Sequence, residues 1–232
     1  MSGFLLFLIL SLVTPGTTGS QHRDSIPDRQ LLGMAVDYFA SGKYHEALVL
    51  FIKLDKKYKL NPRFIAYTGV CYYHEQDYAA ACRYLDKAIP SLDIYSPAER
   101  VVYYNAAADS HFRLEEYAAA IPMYEKLTLV CRKEEKADVL YRLGFCYMQQ
   151  EKWAQAAETF ASSAEYYKAF TPTGSEARVR QLDNIIKGCL QKVANYKTKG
   201  GVLQCKTPPF IIPYEMPLTA MLYRRLIYLH RH

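Results

Sequence analysis

Glycine and proline are scarce, 11 of each in 232 residues, which excludes collagen-like, linker-like and turn-dense all-β chains. Tryptophan occurs once, against 21 tyrosines and 10 phenylalanines. No stretch sustains apolar–polar alternation with a period of two, so no strand is predicted. The signatures of catalysis are missing as well: there is no Gly-rich phosphate loop, no nucleophile elbow, no HExxH and no CxxC. His45-Glu46 and His74-Glu75 open zincin-like phrases but lack the second histidine four positions on. Cys71 and His74 stand at i, i+3 and offer only two donors, so they read as a buried thiol beside a surface imidazole. The expectation is a non-catalytic protein without metal or cofactor.

Excess charge is also absent from most of the chain. The formal net charge is +6, but Lys197, Lys199, Lys206, Arg224, Arg225 and Arg231 face a single acid, Glu215, beyond residue 196. The preceding part is close to neutral and carries no electrostatic footprint for nucleic acid. Apolar residues at 50% and charged residues at 22% are ordinary for a folded globular chain.

The one long apolar run, Phe4 to Val13, has the length of a signal-peptide core and is too short to span a bilayer. Pro15-Gly16 and the small residues Thr17 to Ser20 follow it. Residues 1–20 are thus expected to be a signal peptide without a lipobox, directing the chain to the periplasm or the exterior; a retained signal anchor is the alternative. Six cysteines at long, irregular intervals favour buried thiols over a disulfide framework, with a Cys189–Cys205 bridge as the alternative.

A repeated phrase is present. Lys43-Tyr44-His45-Glu46-Ala47, Asp77-Tyr78-Ala79-Ala80-Ala81, Glu116-Tyr117-Ala118-Ala119-Ala120 and Lys152-Trp153-Ala154-Gln155-Ala156 share a charge, an aromatic ring and a closing alanine. The closing alanines lie 34, 39 and 36 residues apart. Twelve residues before each stands a small residue (Ala35, Gly69, Ala108, Gly144), and nine before it a ring (Tyr38, Tyr72, His111, Tyr147). Four after it comes a large side chain (Phe51, Leu85, Tyr124, Phe160). Helices cross closely where both present small residues, so each small residue is expected to face the alanine of its partner helix.

This pattern resembles the tetratricopeptide repeat, a 34-residue pair of antiparallel helices. The resemblance implies an all-α right-handed solenoid with repeats at about 28–61, 62–95, 101–134 and 137–170. Asn61-Pro62 and Ser96-Pro97-Ala98-Glu99 supply helix starts, the second as a capping box. A capping helix is predicted over 175–195, after Ser175, to cover the open end.

In proteins of this kind the first helix of each repeat lines a concave groove. The resemblance places Arg29, Phe39, Arg63, Tyr67, Tyr73, Asn105, Asp109, Phe112, Arg113, Tyr141, Arg142 and Phe145 there. Leu32 and Val36 stand where a carboxylate clamp would need polar residues, so that clamp is not expected. Rings with arginine suit an apolar peptide or helix, and the expected role is an exported bacterial adaptor with a protein or peptide partner. The alternative is a structural spacer or accessory subunit of an exported enzyme or envelope-assembly complex. Beyond residue 196, four prolines and apolar clusters belong to no repeat. That tail reads as a groove-docking arm, a weak membrane-surface contact or a packed extension.

Overall fold

The computed structural model describes residues 27–171 and 173–198. The expected signal segment, Cys205 and the tail from residue 199 onward lie outside them. Among the described residues the secondary structure is helical throughout: α1 (Asp28–Ala40), α2 (Tyr44–Asp55), α3 (Pro62–His74), α4 (Tyr78–Ala88), α5 (Pro97–Arg113), α6 (Tyr117–Val130), α7 (Lys133–Gln149), α8 (Trp153–Phe170) and α9 (Glu176–Thr198), with a short 3₁₀ turn at Ile89–Ser91. Each odd helix packs on the next even one, and each pair packs on its neighbour. The result is an all-α solenoid of antiparallel helix pairs, closed by α9 against α8.

One turn geometry joins the two helices of every pair. Gly42, Gln76, Glu115 and Glu151 adopt left-handed backbone conformations at φ of 73°, 63°, 59° and 55°. The residue after each sends its N–H back to the carbonyl of Tyr38, Tyr72, His111 or Tyr147. This is a helix-terminating motif that satisfies carbonyls the helix leaves open. Only the first repeat uses glycine for it; the other three hold a non-glycine residue in a conformation that costs about 1–2 kcal/mol.

Close approach within the pairs follows from the small residues. A Cβ added at Gly69 would lie 2.7 Å from Leu85 Cγ, and one at Gly144 2.8 Å from the Phe160 ring. At these two positions the group nearest the small residue is the large side chain four positions after the alanine, rather than the alanine that the sequence suggests. The large group fills the notch, and the alanines are buried beside it: Ala47, Ala81, Ala120 and Ala156 have no exposed surface. Phe51, Leu85 and Phe160 are also fully buried, each stabilising by about 2–3 kcal/mol.

The helix starts are partly as predicted. Asn61 Oδ1 accepts the Phe64 N–H at 3.1 Å, and Ser96 Oγ accepts the Glu99 N–H at 3.3 Å. The second half of the expected capping box does not form, because Glu99 turns its carboxylate to Arg63 and Tyr103. A bidentate charge-assisted pair outweighs one neutral backbone donor. The described cysteines are free, and Cys71, Cys82, Cys146 and Cys189 are buried. On α9, Leu182, Ile186 and Cys189 are buried along one stripe, which is the spacing of a helix face covering the end of the stack.

Replacing Gly144 by alanine is expected to destabilise the protein by about 1–2 kcal/mol. Overpacking against ring atoms of a fully buried Phe160 costs up to about 3 kcal/mol and exceeds the gain of about 1 kcal/mol in helix propensity. Gly188, with nothing within 4 Å of its added Cβ, serves as the control. Gly188→Ala is expected to stabilise by about 0.5–1 kcal/mol. Urea denaturation of the two variants reads both signs.

Candidate functional site

The odd helices share a face that runs the length of the stack. On α1 and α3, Phe39 stacks on Tyr67 with ring centroids 4.1 Å apart, and Tyr67 meets Tyr103 of α5 at 6.2 Å. On α5 and α7, Phe112 meets Phe145 at 5.6 Å. Tyr141 of α7 lies under the Arg178 guanidinium of α9 at 4.8 Å. Phe39, Tyr67, Tyr73, Phe112, Tyr141 and Phe145 are each partly exposed. Rings that bridge neighbouring repeats while keeping an open edge both hold the solenoid and offer apolar contact area.

Three of the arginines of this face, Arg63, Arg113 and Arg142, are engaged by carboxylates. Arg63 Nε and a terminal nitrogen each donate to Glu99 at 2.7 Å, and its guanidinium sits 4.5 Å from the Tyr95 ring centroid. Arg142 donates to Asp109, Arg113 Nε lies 3.5 Å from the same carboxylate, and the Tyr73 hydroxyl donates to it at 3.0 Å. Asp109 is 3% exposed. It is a buried hub joining α3, α5 and α7, whereas the sequence places it among the groove residues with no sign of its burial. Burial and the Asp109 charge push the Tyr73 hydroxyl above its ordinary range.

Arg29 and Asn105 are exposed, and Arg113 keeps just over half of its side-chain surface. Val102, 44% exposed on α5, falls on the same stripe as Asn105 and Asp109. Helical spacing from Asn105 is the signal that identifies it. A shallow depression beside Arg29 is lined by Leu32, Tyr58 and Phe64. Cys71 is buried, and the exposed His74 ring stacks on Tyr44 at 3.7 Å. These two join no cluster of ligating groups among the described residues.

Two consequences can be measured. Asp109→Ala is expected to cost about 2–3 kcal/mol, less than a fully buried pair because Arg113 and Arg142 retain solvent. Glu99 is held below the usual carboxylate value of 4.5 first by its bond from Arg63 and further by Tyr103, against the effect of partial burial. A lowered folded-state value means that this stabilisation is complete above the unfolded value and is lost as pH falls. The difference in Tm between the wild-type protein and Glu99→Gln is therefore expected to be steady near neutral pH and to narrow below about pH 4.5.

Among the described residues no helix is long and apolar enough to cross a membrane. No curated protein matches the chain in sequence. Solved structures share the fold. A MamA structure (AMB-1) matches at 13% identity and a TM-score of 0.50, over 78% of this chain and 97% of that one. MamA from residue 41 onward of Desulfovibrio magneticus RS-1 matches at 14% and 0.48, over 72% and 96%. The apo form of RapI matches at 14% and 0.49, over 75% and 66%. The tetratricopeptide repeat family, whose members are in general non-catalytic protein-interaction modules, matches residues 32–98 and 105–171. Those two spans cover more than half of the sequence, and the chain belongs to the tetratricopeptide repeat family.

Proposed function

We propose that the protein is a non-catalytic adaptor that holds a peptide or helix of a partner protein against the odd-helix face. The observation that carries this reading is the run of partly exposed rings across the repeat junctions, from the stacked Phe39 and Tyr67 to Phe112 with Phe145 and on to Tyr141. An apolar partner segment would bury its side chains against the open ring edges. Arg63 and Arg142, pinned by Glu99 and Asp109, retain about two-fifths of their side-chain exposure. Held in place, they add direction to the contact at little further entropic cost. Export to the periplasm or exterior belongs to the same reading and rests on the apolar run at Phe4–Val13.

The same pairing supports a second reading. Side chains engaged in inter-repeat bonds are also what a rigid spacer in an envelope or enzyme complex requires. Selection of peptides from a displayed library on the full chain separates the two. Ligands of an adaptor are expected to lose at least about 10-fold in affinity with Asn105→Lys and with Arg29→Glu. The exposed α4 variant Lys87→Glu should leave them unchanged. Ligands indifferent to both groove variants would support the spacer.

A further inference from the structure

The junction between the second and third repeats differs from the others in chemistry. His111 replaces the tyrosine that stands at this position in every other repeat. In the fourth repeat Tyr147 donates to Glu125, five residues after the closing alanine of the preceding repeat. His111 makes the equivalent contact, its Nε2 lying 3.1 Å from Asp86 Oδ1. Its other nitrogen, Nδ1, lies 2.7 Å from Glu116 Oε2. Cys82, one helical turn before Asp86 on α4, points to the same place, and the ligating atoms of Cys82, His111 and Glu116 all lie within 4.8 Å of one another. Cys82 and His111 are 6% and 4% exposed, whereas Glu116 is exposed.

We propose that Cys82, His111 and Glu116 bind a divalent transition-metal ion of the Zn²⁺ class, with Asp86 orienting the imidazole. Sulfur, nitrogen and oxygen donors in one cluster are the set that suits this ion. Tetrahedral coordination at the usual bond lengths places donors about 3.5 Å apart. The His111–Glu116 contact at 2.7 Å therefore opens to admit the ion, which the exposed Glu116 side chain allows, and the Cys82 sulfur lies within 4.8 Å of both partners. His111 binds through Nδ1 while Nε2–H donates to Asp86, the carboxylate–histidine arrangement that fixes a ligand's orientation. Water takes the fourth position. Binding displaces the proton of the Cys82 thiol and requires His111 Nδ1 to present its lone pair to the ion.

The test uses the full chain, reduced, stripped with a chelator and titrated with Co²⁺ alone. The expected result is one equivalent bound, with a visible tetrahedral spectrum and a near-ultraviolet thiolate-to-cobalt band, both erased by Zn²⁺. Cys82→Ser is expected to abolish the thiolate band. His111→Tyr installs the residue that the other repeats use here, so it keeps the fold by circular dichroism and is expected to lose binding. Asp86→Asn is expected to weaken affinity by about 10-fold or more. No thiolate band in the wild-type protein, a band that survives in Cys82→Ser, or unchanged binding in His111→Tyr would each overturn the proposal.

Discussion

The notch left by a missing side chain is the constraint on which the rest depends. At Gly69 and Gly144 the first helix of a pair approaches so closely that a methyl group would collide with Leu85 or Phe160. That approach sets the distance between paired helices, and the left-handed turns at Gly42, Gln76, Glu115 and Glu151 set their direction. With the same turn in all four pairs and a small residue at each crossing, the pairs stack alike, and the odd helices align as a continuous face. A solenoid built from such neighbour contacts gains stability junction by junction.

The abundance of tyrosine finds its explanation at the contacts between helices, three of the following across repeat junctions and the last within the fourth pair. Tyr84 donates to Asp55, Tyr104 to Asp93, Tyr147 to Glu125 and Tyr167 to Asp138. A tyrosine buries its ring in the apolar layer and reaches a carboxylate at the edge with its hydroxyl. Burial first, and the adjacent carboxylate next, push the Tyr84 hydroxyl up to about 12, so it stays a donor across the physiological range. His111 departs from this scheme. Its bond to Asp86 first, then its contact with Cys82, raise it to about 10 despite burial, and the junction gains a group with two ring nitrogens in place of one hydroxyl.

Much of this was legible in the sequence. The recurring phrase with its alanine interval carries the helix pairs, and Asn61-Pro62 marks a helix start that the structure forms. Side-chain partners were less so. Glu99 reads as half of a capping box, yet its carboxylate belongs to Arg63, a residue 36 positions away. Asp109 reads as a groove residue, yet three groups from α3, α5 and α7 converge on it and bury it. Cys71 and His74 draw attention because they are close in sequence, while Cys82, His111 and Glu116 meet only through folding.

The sequence by itself determined the helix pairs, their number and the small residues where they cross. These follow from spacing along the chain, which is a local property. Only the tertiary structure decided which charges are spent and which remain available. Whether Arg63, Asp109 or His111 faces a partner or a neighbouring repeat depends on side chains brought together from about 25 to 36 positions away. Periodicity specifies the face a residue lies on, but not the group that waits across the gap.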